Sequence, residues 1–227
     1  MLKIKTSSSY IPTLSSLIGS TADSPPPPTQ LKLLAVAREK DLPGTLVEVE
    51  DVKKAVDGHL QATLLHGENA TLEKVSSEME TSNWVHFACH GVQNLAHPTE
   101  SALLLAGADR LTLAKLASLR ISCGDFAFLS ACQTAKGDEY LSDEAVHLSA
   151  GMLVTGYKGV IATMWSVADD LAPKVARDVY QHLMLSKADT TEAARALHLG
   201  VQNIVEGDQS DDDASLISWV PFIHLGK

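Results

Sequence analysis

A chain of 227 residues has the size of one domain, or of one domain with a tail. With 45% hydrophobic and 20% charged residues it carries enough apolar material to fold around a core, which excludes global disorder. Lysine and arginine number 18 against 28 aspartates and glutamates, a net charge of −10 with no local basic patch, so nucleic acid is not an expected partner. The longest apolar runs, such as Leu33–Ala37 and Ala102–Ala106, fall far short of the roughly 20 residues a membrane helix needs. Serines and prolines break up any apolar segment after Lys3 and Lys5, so neither a membrane span nor a secretory signal is expected, and the expected location is cytoplasmic. Cys89, Cys123 and Cys132 form no regular framework, which fits a reducing compartment without disulfides.

Residues 1–28 hold ten Ser/Thr and five Pro and close on Pro25–Pro28. That composition gives up packing and extends as polyproline II, so 1–28 read as a disordered leader or linker and 29–227 as the folded domain. From Leu31 the chain alternates short apolar runs with helical stripes, the pattern of βα units around a mainly parallel sheet with helices on both faces. In chain order, strands are expected at Leu31–Ala37, Leu60–Leu65, Trp84–Cys89, Ala102–Ala106, Phe126–Ala131, Gly159–Met164 and Ile217–Ile223. Between them, Leu46, Val49, Val52 and Val56 make one helical stripe, and Leu72, Val75 and Met79 another. Thr112 precedes the stripe Leu113, Leu116, Leu119; Ser142 with Asp143 and Glu144 opens one through Leu148 and Met152. Asp169 or Asp170 opens a helix through Val175, Val179 and Leu183, and Thr190 or Thr191 one through Leu197 and Val201. Glu206–Asp213 reads as an acidic loop.

In open α/β sheets, ligands gather just beyond the carboxyl ends of the strands. Two strands end there in chemistry-bearing residues: one delivers His90-Gly91, the other Cys132-Gln133-Thr134. A thiol is weakly ionised at neutral pH and becomes a competent nucleophile beside an imidazole. Gly91, lacking a Cβ, lets a substrate approach its backbone, so its N–H together with that of Cys132 can stabilise an oxyanion. Zinc is not expected at His86, Cys89, His90 and Cys132: the first three share one strand whose side chains alternate between faces, and no Cys-x-x-Cys knuckle is present. No cofactor is expected.

The strings Val85-His86-Phe87-Ala88-Cys89-His90-Gly91, Phe128-Leu129-Ser130-Ala131-Cys132-Gln133-Thr134 and Val160 through Asp170 resemble, in order and spacing, the CHAT-domain branch of the caspase- and separase-like cysteine peptidases. The resemblance extends more weakly from about Leu31 to Phe222–Gly226 and leaves residues 1–28 outside. It implies a caspase-hemoglobinase fold, a three-layer α-β-α sandwich, and endopeptidase activity, with His90 and Cys132 at the dyad positions and Gly91 at an oxyanion position. The sequence departs from the common family strings at Gln133, where relatives carry an acidic residue, and over Asp143–Gly156, which lacks the usual Gly-Leu and Phe spacing. The caspase Gln-Ala-Cys string is absent, so aspartate specificity is not implied.

Asp169 and Asp170 follow the strand Val160–Met164, whose end should share the rim of the dyad. A carboxylate there could receive a basic side chain of a protein or peptide substrate, or could simply cap the next helix. Trp165 could wall the cleft or fill the core. The expected function is a regulated proteolytic effector attached to an upstream sensor or regulatory module. The alternative is a catalytically silent caspase-like scaffold.

Overall fold

The computed structural model describes residues 9–10, 30–40, 42–92, 94, 96–130, 145–164, 167, 171–207 and 222–226. Its central sheet has six strands: β1 (Lys32–Ala37), β2 (Gln61–His66), β3 (Trp84–Ala88), β7 (Phe126–Ser130), β8 (Gly159–Thr163) and β9 (Phe222–Gly226), in the spatial order β2-β1-β3-β7-β8-β9. All neighbours are parallel except β9, which runs antiparallel to β8. β3, β7 and β8 are buried along their whole length, as expected of strands covered on both faces. At the amino edge, Asn83 holds three elements together. Its Oδ1 accepts from the Lys32 amide at 3.0 Å, its Nδ2 donates to the Cys123 carbonyl at 3.1 Å, and its own carbonyl accepts from the Asp125 amide at 2.8 Å.

Strand alternation divides the core in two. Leu34, Val36, Val85, Phe87, Ala127, Leu129, Val160 and Ala162 point to one face. They meet α2 (Leu72–Met79), α3 (Leu113–Ser118) and α4 (Ala145–Thr155). Leu33, Trp84, Phe126, Phe128 and Ile161 point to the other, against α1 (Gly44–Val56), α5 (Ala172–Leu185) and α6 (Ala193–Gly207). The stripes behave as their spacing requires: Val49, Val52 and Val56 of α1 and Val175, Val179 and Leu183 of α5 are fully buried. Thr71 and Thr112 cap α2 and α3, accepting from the amides of Lys74 and Lys115. The architecture is a three-layer α-β-α sandwich around a mainly parallel sheet.

Two expected strands need correction. Ala102–Leu104 is β5, but it lies outside the central sheet, in a three-stranded antiparallel ribbon between β4 (Gly91–Val92) and β6 (Arg110–Thr112). An apolar run carries no label for the sheet it joins, and the short partners β4 and β6 give no periodic signal. The last strand runs Phe222–Gly226, several residues later than Ile217–Ile223, with Ile223 and Leu225 packed on the α2/α4 face. Its outer edge pairs in parallel with Tyr10, whose amide donates to the His224 carbonyl at 2.8 Å, so part of the stretch read as a leader lies against the sheet. No described helix is long and apolar enough to cross a membrane.

Candidate active site at the carboxyl rim

β3 and β7 are adjacent and parallel, with Trp84 opposite Phe126 and Ala88 opposite Ser130, an offset of 130 − 88 = 42 residues throughout. Both strands therefore stop at the same rim. His90 follows two residues after Ala88 and is half-buried. Its carbonyl accepts from the Leu104 amide at 2.8 Å, which fixes the chain as it turns from the sheet into β4. Gly91 stands opposite Leu103 in the antiparallel β4–β5 pair. With the bond between His90 and Leu104 flanking it, Gly91 occupies a non-hydrogen-bonded position of the ladder, and its N–H points away from β5. Cys132, Asp169 and Asp170 lie outside the described residues, as do Glu139, Asp143 and Trp165. The residue capping α5 is Leu171, without a side-chain cap bond, so neither Asp169 nor Asp170 holds that position.

Behind the rim, on the α1/α5 side, is a buried polar chain that sequence reading missed. Glu48 of α1 is 2% exposed, and its carboxylate bonds His86 Nε2 at 3.1 Å and accepts from Ser130 Oγ at 3.1 Å. Tyr180 of α5 reaches His86 Nδ1 at 3.3 Å. One set of donations satisfies all four groups: Tyr180 O–H to Nδ1, Nε2–H to one carboxylate oxygen, Ser130 O–H to the other. Burial, with the Glu48 charge nearby, holds the Tyr180 phenol well above its ordinary range, so it keeps the proton that this arrangement needs. The His86 ring also stacks on Phe128, with centroids 4.9 Å apart. The available signal was His86 itself, a polar side chain inside the buried strand Trp84–Ala88, where a hydrogen-bond partner is obligatory.

His86 and Cys89 face opposite layers, since Cys89 packs into the core on the α2/α4 side. Strand geometry thus separates the two residues that, with His90, had sketched a metal site. Cys123 lies in the loop before β7 with its Sγ near the carbonyls of Ser82 and Glu80.

Among the described residues, two cavities open near this rim. One, of about 20 Å³, is lined by Leu42, Thr45, Glu48, Ser130, Val167 and Ala172, on the β7–β8 side. The other, of about 350 Å³, lies at the carboxyl end of β1 beside the β5–β6 turn. The family model of the CHAT domain matches residues 4–227 of the chain. No curated protein matches it.

Proposed function

The chain belongs to the CHAT domain family, whose domain is caspase-like and related to cysteine peptidases, and from that premise we propose that it is a cysteine endopeptidase working through His90 and Cys132. One observation carries the reading. The spacing 132 − 90 = 42 equals the β3–β7 register offset, so in the sequence each residue stands two positions past the paired strand ends Ala88 and Ser130. Parallel neighbours lie about 4.8 Å apart. Two residues of chain span at most about 7 Å, which tethers Cys132 to the end of β7. Within these lengths an imidazole and a thiol can reach one carbonyl, which supports the dyad.

In the proposed mechanism, His90 takes the thiol proton and the Cys132 sulfur adds to the peptide carbonyl, whose oxygen becomes an anion held by the Gly91 and Cys132 amides. Collapse of this adduct breaks the C–N bond, and the imidazolium returns its proton to the departing amine. The thioester is then hydrolysed by a water that gives its proton to His90, which releases the acid and regenerates the thiol. The outward N–H of Gly91 supports the oxyanion role. Asp169 and Asp170 immediately precede Leu171 and Ala172 in the chain, and Ala172 lines the small cavity on the β7–β8 side of the rim, the side proposed for the acyl half. This supports a basic side chain before the scissile bond.

The test is cleavage of a degenerate peptide library by wild type, Cys132→Ala and His90→Ala. The expected result is turnover with a basic preference before the cut, complete loss in Cys132→Ala and a loss of about a hundredfold or more in His90→Ala. His90→Ala should also slow iodoacetamide labelling of Cys132 near neutral pH. Absence of cleavage, with Cys132 labelling at the same rate in wild type and His90→Ala, would favour a silent scaffold.

A further inference from the structure

The cavity of about 350 Å³ beside β1 has no role in the chemistry above, and its size is that of a small ligand pocket. Its position is set by topology. The cavity lies beyond the carboxyl ends of β1 and β2 against the β5–β6 turn, and that end of an α/β sheet is where ligands gather. The cavity is tied to the strand end that carries His90. The Arg38 amide donates to the Ala88 carbonyl at 3.0 Å, and Arg38 Nη1 donates to the carbonyl of Leu105, the residue after the one that bonds His90.

Resting on the proteolytic reading, we propose that this cavity is the subsite for the first or second substrate residue after the scissile bond, and that it takes an uncharged, largely apolar side chain. The direction follows from the roles at the rim. In the proposed mechanism Cys132, tethered two residues past the end of β7, takes the acyl half, and His90, past the neighbouring strand β3, protonates the amine of the leaving half. Continuing from β7 through β3, the next strand is β1, so a substrate crossing the rim in that order brings its leaving half to the cavity. The preference follows from the walls. Ala37, Leu105 and Ala106 supply apolar surface. Arg38 Nη1 is engaged with the Leu105 carbonyl, while Glu39 bonds the His66 ring at 3.2 Å and accepts from the Gly67 amide at 3.1 Å, so both side chains already hold protein partners. Lys40 and Glu68, exposed and of opposite sign, make no hydrogen bond or ion pair among the described residues, and they can meet the carbonyl and N–H of an entering backbone.

The experiment compares two probes that share a degenerate acyl half. One is an internally quenched peptide pool with four degenerate residues after the cut; the other ends directly in a fluorogenic coumarin amide. Lys40→Trp and Glu68→Trp narrow the cavity from opposite walls, at exposed positions where a thermal melt should report an unchanged fold. The expected result is apolar enrichment at the first two positions after the cut in wild type. In each variant, kcat/KM on the peptide pool should fall at least tenfold more than on the coumarin amide. Equal effects on the two probes, or no effect on either, would overturn the subsite while leaving proteolysis standing. If wild type turned over neither probe, the proteolytic reading itself would fall, and the subsite with it.

Discussion

The two faces of the central sheet are packed by different rules. On the α2/α3/α4 face the strands contribute Leu34, Val36, Val85, Phe87, Ala127 and Leu129 to a hydrocarbon core, where density is the main requirement. On the α1/α5/α6 face the same strands contribute His86 and Ser130, which meet Glu48 and Tyr180 in a polar chain set among Trp84, Phe126 and Phe128. A second buried histidine, His224 of β9, shares that parity. The difference teaches where geometry is held by direction rather than by volume. Hydrogen bonds fix the mutual register of α1, α5, β3 and β7 directly behind the residues that lead into His90 and Cys132, whereas apolar packing tolerates small slides.

Removing the acceptor of that chain should have the largest effect. Glu48→Ala leaves the His86 N–H and the Ser130 hydroxyl buried without a partner, for an expected loss of about 4 kcal/mol in urea unfolding. Glu48→Gln, which keeps one acceptor, should lose less. If Glu48→Ala lost under about 1 kcal/mol, the contrast between the faces would vanish.

Next in size is an acid effect at the other buried histidine. Ser9 Oγ donates to the Gly226 carbonyl at 2.8 Å, so its 2.8 Å bond to His224 takes the Nδ1 proton, and Nε2 has no hydrogen-bond partner among the described residues. Burial lowers the pKa of His224 to about 4, because protonating Nε2 would put an unanswered charge in the interior. Between pH 6.5 and 4 the unfolded chain therefore binds more protons than the folded one. The stability this histidine contributes is complete above about pH 6.5 and is lost as pH falls towards 4, up to about 3 kcal/mol. Comparing unfolding at pH 7 and pH 4.5 should give a smaller acid loss in His224→Leu than in wild type. Parallel slopes in the two proteins would remove His224 from the account.

The smallest effect sharpens the contrast. Tyr180→Phe keeps the ring against Trp84 and Phe128 and deletes only the O–H donated to His86, so it should lose about 1 kcal/mol. A loss of several kcal/mol would mean that the ring position, not the hydrogen bond, depends on the hydroxyl.

Much of the layout was legible in residue order. Apolar runs bounded by turns located β1, β3, β7 and β8, and the stripes of α1 and α5 followed from a period of 3.6 residues. The strings around His90 and Cys132 marked the candidate rim, because residues just past buried parallel strands gather at one edge. The three-residue strand β5 was found as a run but not as part of a ribbon, since β4 and β6 become strands only through their partners. Glu48 stood beside the α1 stripe Leu46, Val49, Val52 and Val56, which announced only its apolar members.

The sequence by itself determined which segments are strand or helix and which residue types stand at the strand ends, because periodicity and turn chemistry act over a few neighbours. Tertiary structure alone decided the β3–β7 register that matches the spacing of His90 and Cys132, the pairing of Glu48 with His86 and Ser130 across 38 and 82 residues, and the cavity that β1, β2 and the β5–β6 turn close between them. Those relations arise between segments far apart in the chain, and only the closed core brings them within hydrogen-bonding range.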